Sequence, residues 1–244
     1  MEIIAHRGAS HDAPENTLAA IRLGWVQGAD AVEIDVRCSK DGEVVVIHDA
    51  GLLRTAGVRK PVASQTLKEL RALDAGDWKH SRFAGEPIPT LAEALDTIPD
   101  GRRLFVEIKC DRAIVPAFTK AFRRSGKAPS QVMPIGFGAA TMRAIKQAVP
   151  KLEVALVAEF RRTLRGWSPM AETLIAKAKG ARLDALDLDG RGPIDEVFVS
   201  KVHEAGLKLY VWTVDAPPRA RLLCDAGIDG LTTNKPGWMR KQIS

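Results

Sequence analysis

Short apolar runs alternate with amphipathic helical segments along the whole of this 244-residue sequence. Eight of the apolar runs have the character of buried strands, and they occupy residues 3–5, 31–36, 104–108, 132–135, 154–157, 183–188, 207–212 and 230–232. Helical patterns separate them, for example at residues 16–27, 113–124, 139–148, 170–179, 194–205 and 217–226. Such alternation predicts a parallel sheet covered by helices. Eight repeats favour closure into a barrel, although the count alone leaves a doubly wound open sheet as the alternative.

The length and composition fit one globular domain that spans residues 1–244. The sequence is 45% apolar and 27% charged, which is ordinary for a protein with a sizeable core. It contains no internal repeat, low-complexity tract or linker. The alternation has one long interruption, at about residues 50–90, where a helix-like segment at residues 64–73 is followed by loop signals.

Carboxylate side chains stand on two of the predicted strands. Side chains alternate between the faces of a strand, so Glu33 and Asp35 point the same way, roughly 6.6 Å apart along the strand. Glu107 lies in the third predicted strand. Buried carboxylates are costly unless a cation compensates their charge. We therefore expect these three side chains to bind one divalent cation, and oxygen ligands favour Mg²⁺, Ca²⁺ or Mn²⁺ over zinc.

Two histidines stand at predicted strand ends close to these carboxylates. Asp41-Gly42 signals a tight hairpin turn, because glycine readily supplies a positive φ. The strand that carries Asp35 would reverse there and return as residues 44–48, which brings His48 back beside it. His6 ends the first strand, so the two histidines could flank one metal-bound phosphate. Oxygen ligands, proton-transfer groups and cations together suit a metal-assisted phosphodiesterase.

The motifs that carry these residues resemble those of the glycerophosphodiester phosphodiesterase family. They are AHRG at 5–8, PENT at 14–17, EIDV at 33–36, KDG at 40–42 leading into VVVIHD at 44–49, and EIK at 107–109. Weaker similarity continues through AGDW at 75–78, FAGEPIPTL at 83–91, VWTV at 211–214 and DGLTTNKP at 229–236. The chain departs from the family pattern at Gly136-Phe137, at Asp215, where the family usually has Asn, and at Asn234, where it often has Asp.

The resemblance implies a (β/α)8 TIM barrel with a β-hairpin and a small insertion, about residues 50–90, after the second barrel strand. It implies metal-dependent hydrolysis of glycerophosphodiesters to sn-glycerol 3-phosphate and an alcohol. His6 and His48 would act as acid and base, with His48 donating to the leaving alcohol and His6 accepting a proton. Arg7 and Lys109 would bind the phosphate, because guanidinium and ammonium groups suit phosphoryl oxygens. One Mg²⁺ or Ca²⁺ ion is expected, with Mn²⁺ as a further candidate.

Several of these residues also have structural interpretations. The three carboxylates could form salt bridges with Arg37, Arg7 and Lys109, and His6 could be a satisfied core side chain. Trp212, at the end of the seventh strand, could pack against the substrate glycerol or simply against the barrel. Asn16 has the pattern of a helix N-cap. Asn234 and Lys235 have the pattern of a helix start.

The charge pattern favours a small anionic partner. The formal net charge is +6 and the isoelectric point is near 9.3, but the basic residues are scattered and aromatic residues make up only 5%. Nucleic-acid binding is therefore not expected. The three cysteines have no metal-ligand spacing, and no leader or apolar stretch of membrane-spanning length occurs, so we expect a cytoplasmic protein without a stable membrane anchor.

Other functions fit the same pattern. A lysophospholipase D-like enzyme or a sugar phosphodiesterase could use the same barrel. A different class is a non-catalytic barrel that binds a phosphate ligand, for which the loss of a histidine or carboxylate would be typical. The preferred alcohol, the attacking oxygen and the oligomeric state are left open by the sequence.

Overall fold

The computed structural model describes residues 1–164 and 166–243, and its centre is a closed parallel barrel. The described residues form these strands: β1 (Glu2–His6), β2 (Ala31–Cys38), β3 (Val44–Val46), β4 (Arg103–Ile108), β5 (Val132–Gly136), β6 (Ala155–Ala158), β7 (Arg161–Thr163), β8 (Gly166–Ser168), β9 (Ala185–Asp189), β10 (Lys208–Trp212) and β11 (Gly230–Thr233). Around the barrel the strand order is β1, β2, β4, β5, β6, β9, β10 and β11. Because β1 pairs in parallel with both β2 and β11, the ring has no open edge. The predicted TIM barrel is confirmed, and the doubly wound alternative is wrong.

Helices cover the outside of this ring and lie between its strands. They are α1 (Leu18–Val26), α2 (Leu53–Ala56), α3 (Leu67–Arg71), α4 (Leu91–Asp96), α5 (Val115–Ser125), α6 (Ala139–Ala148), α7 (Ala171–Gly180), α8 (Glu196–Glu204), α9 (Pro217–Asp225) and α10 (Pro236–Ile243). Val32, Ile34 and Val36 on β2 are buried in the apolar layer beneath the helices. The intervening residues of β2 therefore face the barrel interior. None of the helices within residues 1–164 and 166–243 is long and apolar enough to span a bilayer.

The hairpin predicted at Asp41-Gly42 is present, with β3 antiparallel to β2. Gly42 has a φ of +81°, as the turn requires. The segment that follows holds α2 and α3 and packs around its own apolar cluster, whose buried residues are Val45, Ile47, Leu52, Val62, Leu70, Ala75 and Ile88. Val45 and Ile47 belong to the returning arm of the hairpin, so this cluster is attached to the barrel through β3.

A second hairpin, formed by β7 and β8, was not predicted from the sequence. Arg161, Arg162 and Thr163 are all exposed, so β7 lacks the apolar alternation by which a half-buried strand is recognised. The hairpin lies between β6 and α7 and therefore rises from the carboxyl end of the barrel strands.

Apolar side chains fill the barrel interior beneath the carboxyl ends of the strands, with the aromatic rings of Phe105 and Tyr210 among them. Phe105 and Tyr210 pack edge to face, with ring centroids 5.0 Å apart and an interplanar angle of 78°. A Cβ at Gly230 would lie 2.7 Å from Cδ1 of Tyr210, so glycine there leaves room for the ring. This packed layer forms a floor, and polar side chains higher on the same strands lie above it.

The loop after β1 makes a close backbone contact with α1. Gly8 has a φ of +82°, and a Cβ at this position would lie 2.4 Å from the carbonyl carbon of Ala20. The Gly8 amide also donates to the carbonyl of Glu33 at 3.2 Å. The turn that follows His6 and Arg7 is therefore fixed against both a helix and β2.

Replacing Gly8 by alanine is expected to be strongly destabilising, because the Cβ would meet backbone atoms and the left-handed φ would be strained. We expect Gly8→Ala to lower the free energy of unfolding by about 3 kcal/mol or more, measured by urea denaturation. Gly42→Ala is the matched control, since its φ is +81° but nothing lies within 4 Å of its Cβ position. It should cost only the strain of the left-handed backbone, about 1–2 kcal/mol. Equal losses in both variants would contradict a packing role for Gly8.

Candidate active site

Three carboxylates meet above the barrel floor at the carboxyl ends of β2 and β4. Glu33, Asp35 and Glu107 each present an oxygen within 4.8 Å of the others. The strand register explains the grouping, because Asp35 lies directly opposite Glu107 and His6 lies opposite Glu33. Glu33 and Asp35 are buried, and only 12% of the Glu107 side chain is exposed. The acidic cluster therefore has the position expected from the alternation of β2.

Two cations lie beside this cluster. Lys109 Nζ is 2.7 Å from Glu107 Oε1 and 3.2 Å from Asp35 Oδ1. Arg7 Nε is 3.1 Å from Asp35 Oδ2, and the Arg7 backbone amide donates to Glu33 Oε2 at 2.9 Å. Each carboxylate oxygen of Asp35 therefore has a cationic side chain beside it, Lys109 at Oδ1 and Arg7 at Oδ2. Arg7 and Lys109 are thus two of the three charge-balancing partners that the structural interpretation names. The third was wrong, because Arg37 donates instead to the backbone carbonyls of His48 and Lys109.

The charge of the cluster is nevertheless incompletely compensated. Burial, followed by repulsion from Asp35 and Glu107, raises the pKa of Glu33 well above its usual value. Burial and Asp35 raise the pKa of Glu107 to about 7. Burial also acts on Asp35, but Lys109 and Arg7 outweigh it and hold the pKa of that carboxyl below its usual value. Three ionised carboxylates cannot share this site cheaply without a further cation.

The donor set fits a hard divalent cation. Within residues 1–164 and 166–243, the buried oxygens Glu33 Oε1, Asp35 Oδ1 and Glu107 Oε1 have no partner in hydrogen-bond geometry, although Lys109 Nζ lies close to the latter two as an ion pair. Buried oxygens without such a partner are rare in folded proteins and indicate that a ligand completes their coordination. A set of protein ligands that consists only of carboxylate oxygens suits Mg²⁺, Ca²⁺ or Mn²⁺.

His6 is oriented by residues from the opposite end of the chain. Its Nδ1 lies 2.8 Å from Asn234 Oδ1, and the Asn234 amide groups in turn donate to Asp215. Because Asn234 Nδ2 donates to Asp215, its oxygen faces His6, which assigns the proton to Nδ1 and the lone pair to Nε2. Burial, followed by the charge of Arg7, lowers the pKa of His6 to about 4. The imidazole is therefore neutral at pH 7 and can accept a proton.

His48 is held by a chain of charged residues. Its Nδ1 lies 2.7 Å from Asp49 Oδ1, and Arg54 Nε donates to Asp49 Oδ2 at 2.7 Å. Arg54 also binds Glu15 at 2.7 Å, and Glu15 accepts from Arg7 at 2.9 Å. The contacts of Arg54 lower the pKa of Asp49, so this carboxylate is ionised and positions the His48 ring through Nδ1. Arg54 belongs to α2, so the segment after the hairpin contributes to the site.

Trp212 and Phe137 form the apolar wall of a cavity of about 120 Å³ that opens onto these groups. Their rings meet edge to face with centroids 6.0 Å apart. The Trp212 indole Nε1 donates to the carbonyl of Asp187 at 3.1 Å, which fixes the ring. Asp35 is buried and does not line the cavity. The other predicted site residues line it: His6, Arg7, Glu33, His48, Glu107, Lys109 and Trp212.

Comparison with known proteins identifies the family. The model of the glycerophosphoryl diester phosphodiesterase family matches residues 6–238. The chain belongs to this family. A glycerophosphodiester phosphodiesterase of Caldanaerobacter subterraneus subsp. tengcongensis is 33% identical over 239 residues, covering 96% of this chain and 94% of the relative. The putative glycerophosphodiester phosphodiesterase YhdW of Bacillus subtilis is 31% identical over 249 residues, covering 99% and 97%.

Solved structures of this phosphodiesterase family share the fold closely. A phosphodiesterase of Oleispira antarctica, in complex with the product sn-glycerol-3-phosphate, has a TM-score of 0.90 at 29% identity and covers 100% of this chain and 96% of that one. A putative glycerophosphoryl diester phosphodiesterase of Silicibacter pomeroyi has a TM-score of 0.88 at 26% identity, with coverage of 100% and 92%. The likeness therefore extends over the whole barrel.

Two of the departures from the glycerophosphodiester phosphodiesterase pattern contact each other. Asp215 accepts hydrogen bonds from both the backbone amide and the side-chain amide of Asn234. The family usually has Asn at the first position and often Asp at the second. An exchanged pair of this kind still places one carboxylate beside one amide. In this chain the neutral amide of Asn234 contacts His6 directly, and the charged carboxylate of Asp215 lies on the other side of Asn234.

One local expectation was wrong. Asn16 is not the N-cap of α1; Thr17 caps the helix, and its Oγ1 accepts from the amide of Ala20 at 3.2 Å. Asn16 instead has a left-handed φ of +59° and uses both side-chain atoms on Asp35, donating to Oδ2 at 2.8 Å and accepting from the backbone amide at 3.0 Å. Arg7 also has a positive φ, +55°. Two strained residues thus hold the acidic cluster of this phosphodiesterase, as occurs at functional sites.

Several residues that orient this family site were missed or read as structural. Asp49 follows His48 directly, so the His-Asp sequence was a usable signal. Asn234 has the sequence pattern of a helix start, although its side chain orients His6. Arg54 and Asp187 carried no signal in the sequence, because their relevance depends on which strands and loops the barrel brings together.

Proposed function

We propose that this chain hydrolyses glycerophosphodiesters to sn-glycerol 3-phosphate and an alcohol, with one divalent cation bound by Glu33, Asp35 and Glu107. The observation that supports this most strongly is the meeting of these carboxylates with two histidines and two cations around one cavity. The Oleispira antarctica relative in complex with sn-glycerol-3-phosphate supports the same substrate class. We propose Mg²⁺ or Ca²⁺ as the cation, with Mn²⁺ as a further candidate.

When bound, the cation would supply positive charge that polarises the phosphoryl oxygens and neutralises charge in the transition state. Arg7 and Lys109 would bind the same phosphoryl oxygens by charge-assisted hydrogen bonds. Arg7 Nε and Lys109 Nζ already lie 3.1 and 3.2 Å from the carboxylate oxygens of Asp35, so both side chains are oriented before the substrate arrives. Such preorganised charge stabilises a phosphoryl transition state without a reorganisation cost.

The two histidines would move the protons. His6 is neutral and would accept a proton at Nε2 from the attacking hydroxyl. His48, held through Nδ1 by Asp49, would donate a proton from Nε2 to the oxygen of the departing alcohol as the phosphorus–oxygen bond breaks. Each of these groups would contribute roughly 10²–10⁴-fold to the rate. The carbon chain of the glycerol would pack against Trp212.

We further propose that residues 1–244 form one catalytic domain, with residues 50–90 as an insertion that contributes to the catalytic face. The bonds from Arg54 to Glu15 and to Asp49 support this, because they join the insertion to the site. We also infer a reducing compartment such as the cytoplasm, since the three cysteines are odd in number and have no metal-ligand spacing.

The function is tested by incubating the purified protein with glycerophosphocholine, glycerophosphoethanolamine and glycerophosphoinositol, with and without Mg²⁺ or Ca²⁺. Release of sn-glycerol 3-phosphate is the expected result. A lysophospholipid and a sugar phosphodiester in the same panel distinguish the related activities. Binding of sn-glycerol 3-phosphate without turnover of any substrate would instead indicate a non-catalytic barrel.

Removing the cationic side chain of Arg7 or of Lys109 is expected to weaken catalysis and product binding together. A charge-assisted hydrogen bond contributes roughly 1.5–3 kcal/mol, so Arg7→Ala or Lys109→Ala should lower kcat/KM by about tenfold or more. Arg7→Lys should recover little if the contact is bidentate, because an ammonium group cannot reproduce the guanidinium geometry. The measurement is steady-state hydrolysis together with inhibition by sn-glycerol 3-phosphate.

Lys208→Ala is the control for this prediction. Lys208 is also a cation on a barrel strand, but it pairs with Glu153 at 2.7 Å and does not line the cavity. Its kinetics should match those of the original protein. Unchanged inhibition by sn-glycerol 3-phosphate in both Arg7→Ala and Lys109→Ala would mean that these residues only balance the carboxylates.

A further inference from the structure

The cavity wall opposite the three carboxylates carries another acidic side chain, Asp187 on β9. Going around the barrel in either direction, β9 is four strands away from β2, so Asp187 faces Glu33 across the interior. The register places Asp187 beside Val157 of β6 and Tyr210 of β10, and Ala185 two residues earlier lies in the interior floor. Asp187 is only 3% exposed and lines the same cavity as the histidines.

Among the described residues, none donates a hydrogen bond to Asp187 Oδ1. This oxygen is fully buried, and within residues 1–164 and 166–243 no ion pair engages the carboxyl group. Burial of a carboxyl group without a partner is costly. A side chain retained under that cost indicates that something other than the protein completes its hydrogen bonds. Burial and the charge of Glu107 raise the pKa of Asp187 well above its usual value.

Two other roles for Asp187 fit the structure less well. A fourth metal ligand would have to join the acidic cluster, but within the described chain the set of oxygens that lie within 4.8 Å of one another consists of Glu33, Asp35 and Glu107. A structural role would require a hydrogen bond or ion pair to a neighbouring side chain, and Oδ1 has none. A ligand in the cavity is therefore the partner that remains.

The surroundings of Asp187 match a small polyol. The backbone carbonyl of Asp187 accepts a hydrogen bond from the Trp212 indole Nε1 at 3.1 Å. This bond fixes an aromatic ring next to the side chain of Asp187. Phe137 meets that ring edge to face and extends the apolar wall. A short carbon chain can pack on the rings while its hydroxyl group bonds to the carboxyl group. A hydroxyl both donates and accepts, so it suits Asp187 in either protonation state.

We propose that Asp187 binds the terminal hydroxyl of the substrate glycerol and thereby selects glycerol esters over other phosphodiesters. This inference rests on the proposed function. With the phosphoryl group held near Glu33, Glu107 and Lys109, the end of the glycerol farthest from phosphorus points toward β9. The hydroxyl beside the phosphate ester stays closer to the acidic cluster.

The test compares two substrates that differ in one hydroxyl group. They are glyceryl p-nitrophenyl phosphate and 2-hydroxypropyl p-nitrophenyl phosphate, which share the leaving group and the inner hydroxyl. The original protein is expected to favour the glyceryl ester in kcat/KM by about tenfold to hundredfold. Asp187→Ala should lower kcat/KM for the glyceryl ester by that factor and leave the 2-hydroxypropyl ester within about twofold of its original value. Asp187→Asn, which keeps a hydrogen-bonding side chain of the same shape, should retain part of the preference.

Asp189→Asn is the matched control. It lies on the same strand, but Arg191 holds its carboxylate at 2.6 Å and it does not line the cavity, so the preference should persist. The Asp187 variants should unfold at the same or a higher temperature than the original protein, because an unpartnered buried carboxyl is removed. The assignment of Asp187, but not the proposed function, would be overturned by any of three results. They are an equal fall in kcat/KM for both esters in the Asp187 variants, such a fall together with a lowered unfolding temperature, and no preference for the glyceryl ester in the original protein. Hydrolysis of neither ester by the original protein would overturn the proposed function as well.

Discussion

Removal of the divalent cation is expected to abolish hydrolysis of glycerophosphodiesters, and its return should restore the activity. Glu33→Gln, Asp35→Asn and Glu107→Gln should each lower kcat by about a thousandfold or more, since metal charge stabilises phosphoryl transition states by several kcal/mol. The amide variants keep the shape of each side chain. Initial rates after chelation and titration with Mg²⁺ or Ca²⁺ provide the measurement, and calorimetry reports metal affinity.

Thermal unfolding gives a second readout of metal binding that does not depend on turnover. A ligand that binds only the folded state stabilises it by about 2.7 kcal/mol at a concentration one hundred times its dissociation constant. The original protein should therefore gain stability from the cation, and the Glu33→Gln protein should gain much less. In the absence of metal, Glu33→Gln should be at least as stable as the original protein, because it removes one of three mutually repelling carboxyls.

Glu153→Gln is the control for the acidic substitutions. Glu153 pairs with Arg103 and Lys208 and does not line the active-site cavity. This variant should keep both metal affinity and activity. Full activity of rigorously metal-free protein would rule out the role proposed for Glu33, Asp35 and Glu107.

Removal of either histidine is expected to lower kcat by roughly 10²–10⁴-fold while metal affinity changes little. The two variants should differ in their dependence on the leaving group. A p-nitrophenolate leaving group needs no proton, so it should partly rescue His48→Ala, which lacks the proposed acid. His6→Ala lacks the proposed base and should not be rescued. Single-turnover hydrolysis of glycerophosphocholine and of glyceryl p-nitrophenyl phosphate provides the comparison.

His203→Ala is the control for the histidine substitutions. His203 bonds to Asp229 at 2.9 Å and does not line the cavity, so its removal should leave the kinetics unchanged. Rescue of His6→Ala in place of His48→Ala would reverse the assignment of acid and base. Equal rescue of both, or of neither, would leave the division of roles without support.

The acidic cluster shows how much of a site local rules can predict. Glu33 and Asp35 alternate with Ile34 along one strand, and this period of two depends only on the extended backbone. The apolar neighbours decide which face turns toward the helices, so the carboxylates must face inward. The hairpin at Asp41-Gly42 follows equally directly from a turn that needs a positive φ. These features were predictable because each involves residues close together in sequence.

Contacts between distant segments were beyond such rules. Asn16 was expected to cap a helix, yet its side chain binds Asp35. Its left-handed backbone and the bond from its backbone amide to the carbonyl of Arg7 place it there. Arg54 gave no signal, since its bonds to Glu15 and Asp49 depend on how the insertion packs against the loop after β1. The exposed β7–β8 hairpin lacked the apolar alternation that reveals a strand.

By itself, the sequence determined the alternation of strands and helices, the shared face of Glu33 and Asp35, and the hairpin that returns His48. The tertiary structure alone decided that Asn234 orients His6, which is 228 residues away, and that Asp187 faces the acidic cluster. The physical reason is the closure of the ring. Side-chain direction follows from backbone geometry within a strand, but the neighbours across the cavity are set by the pairing of β1 with β11 and by the order of all eight strands around the barrel.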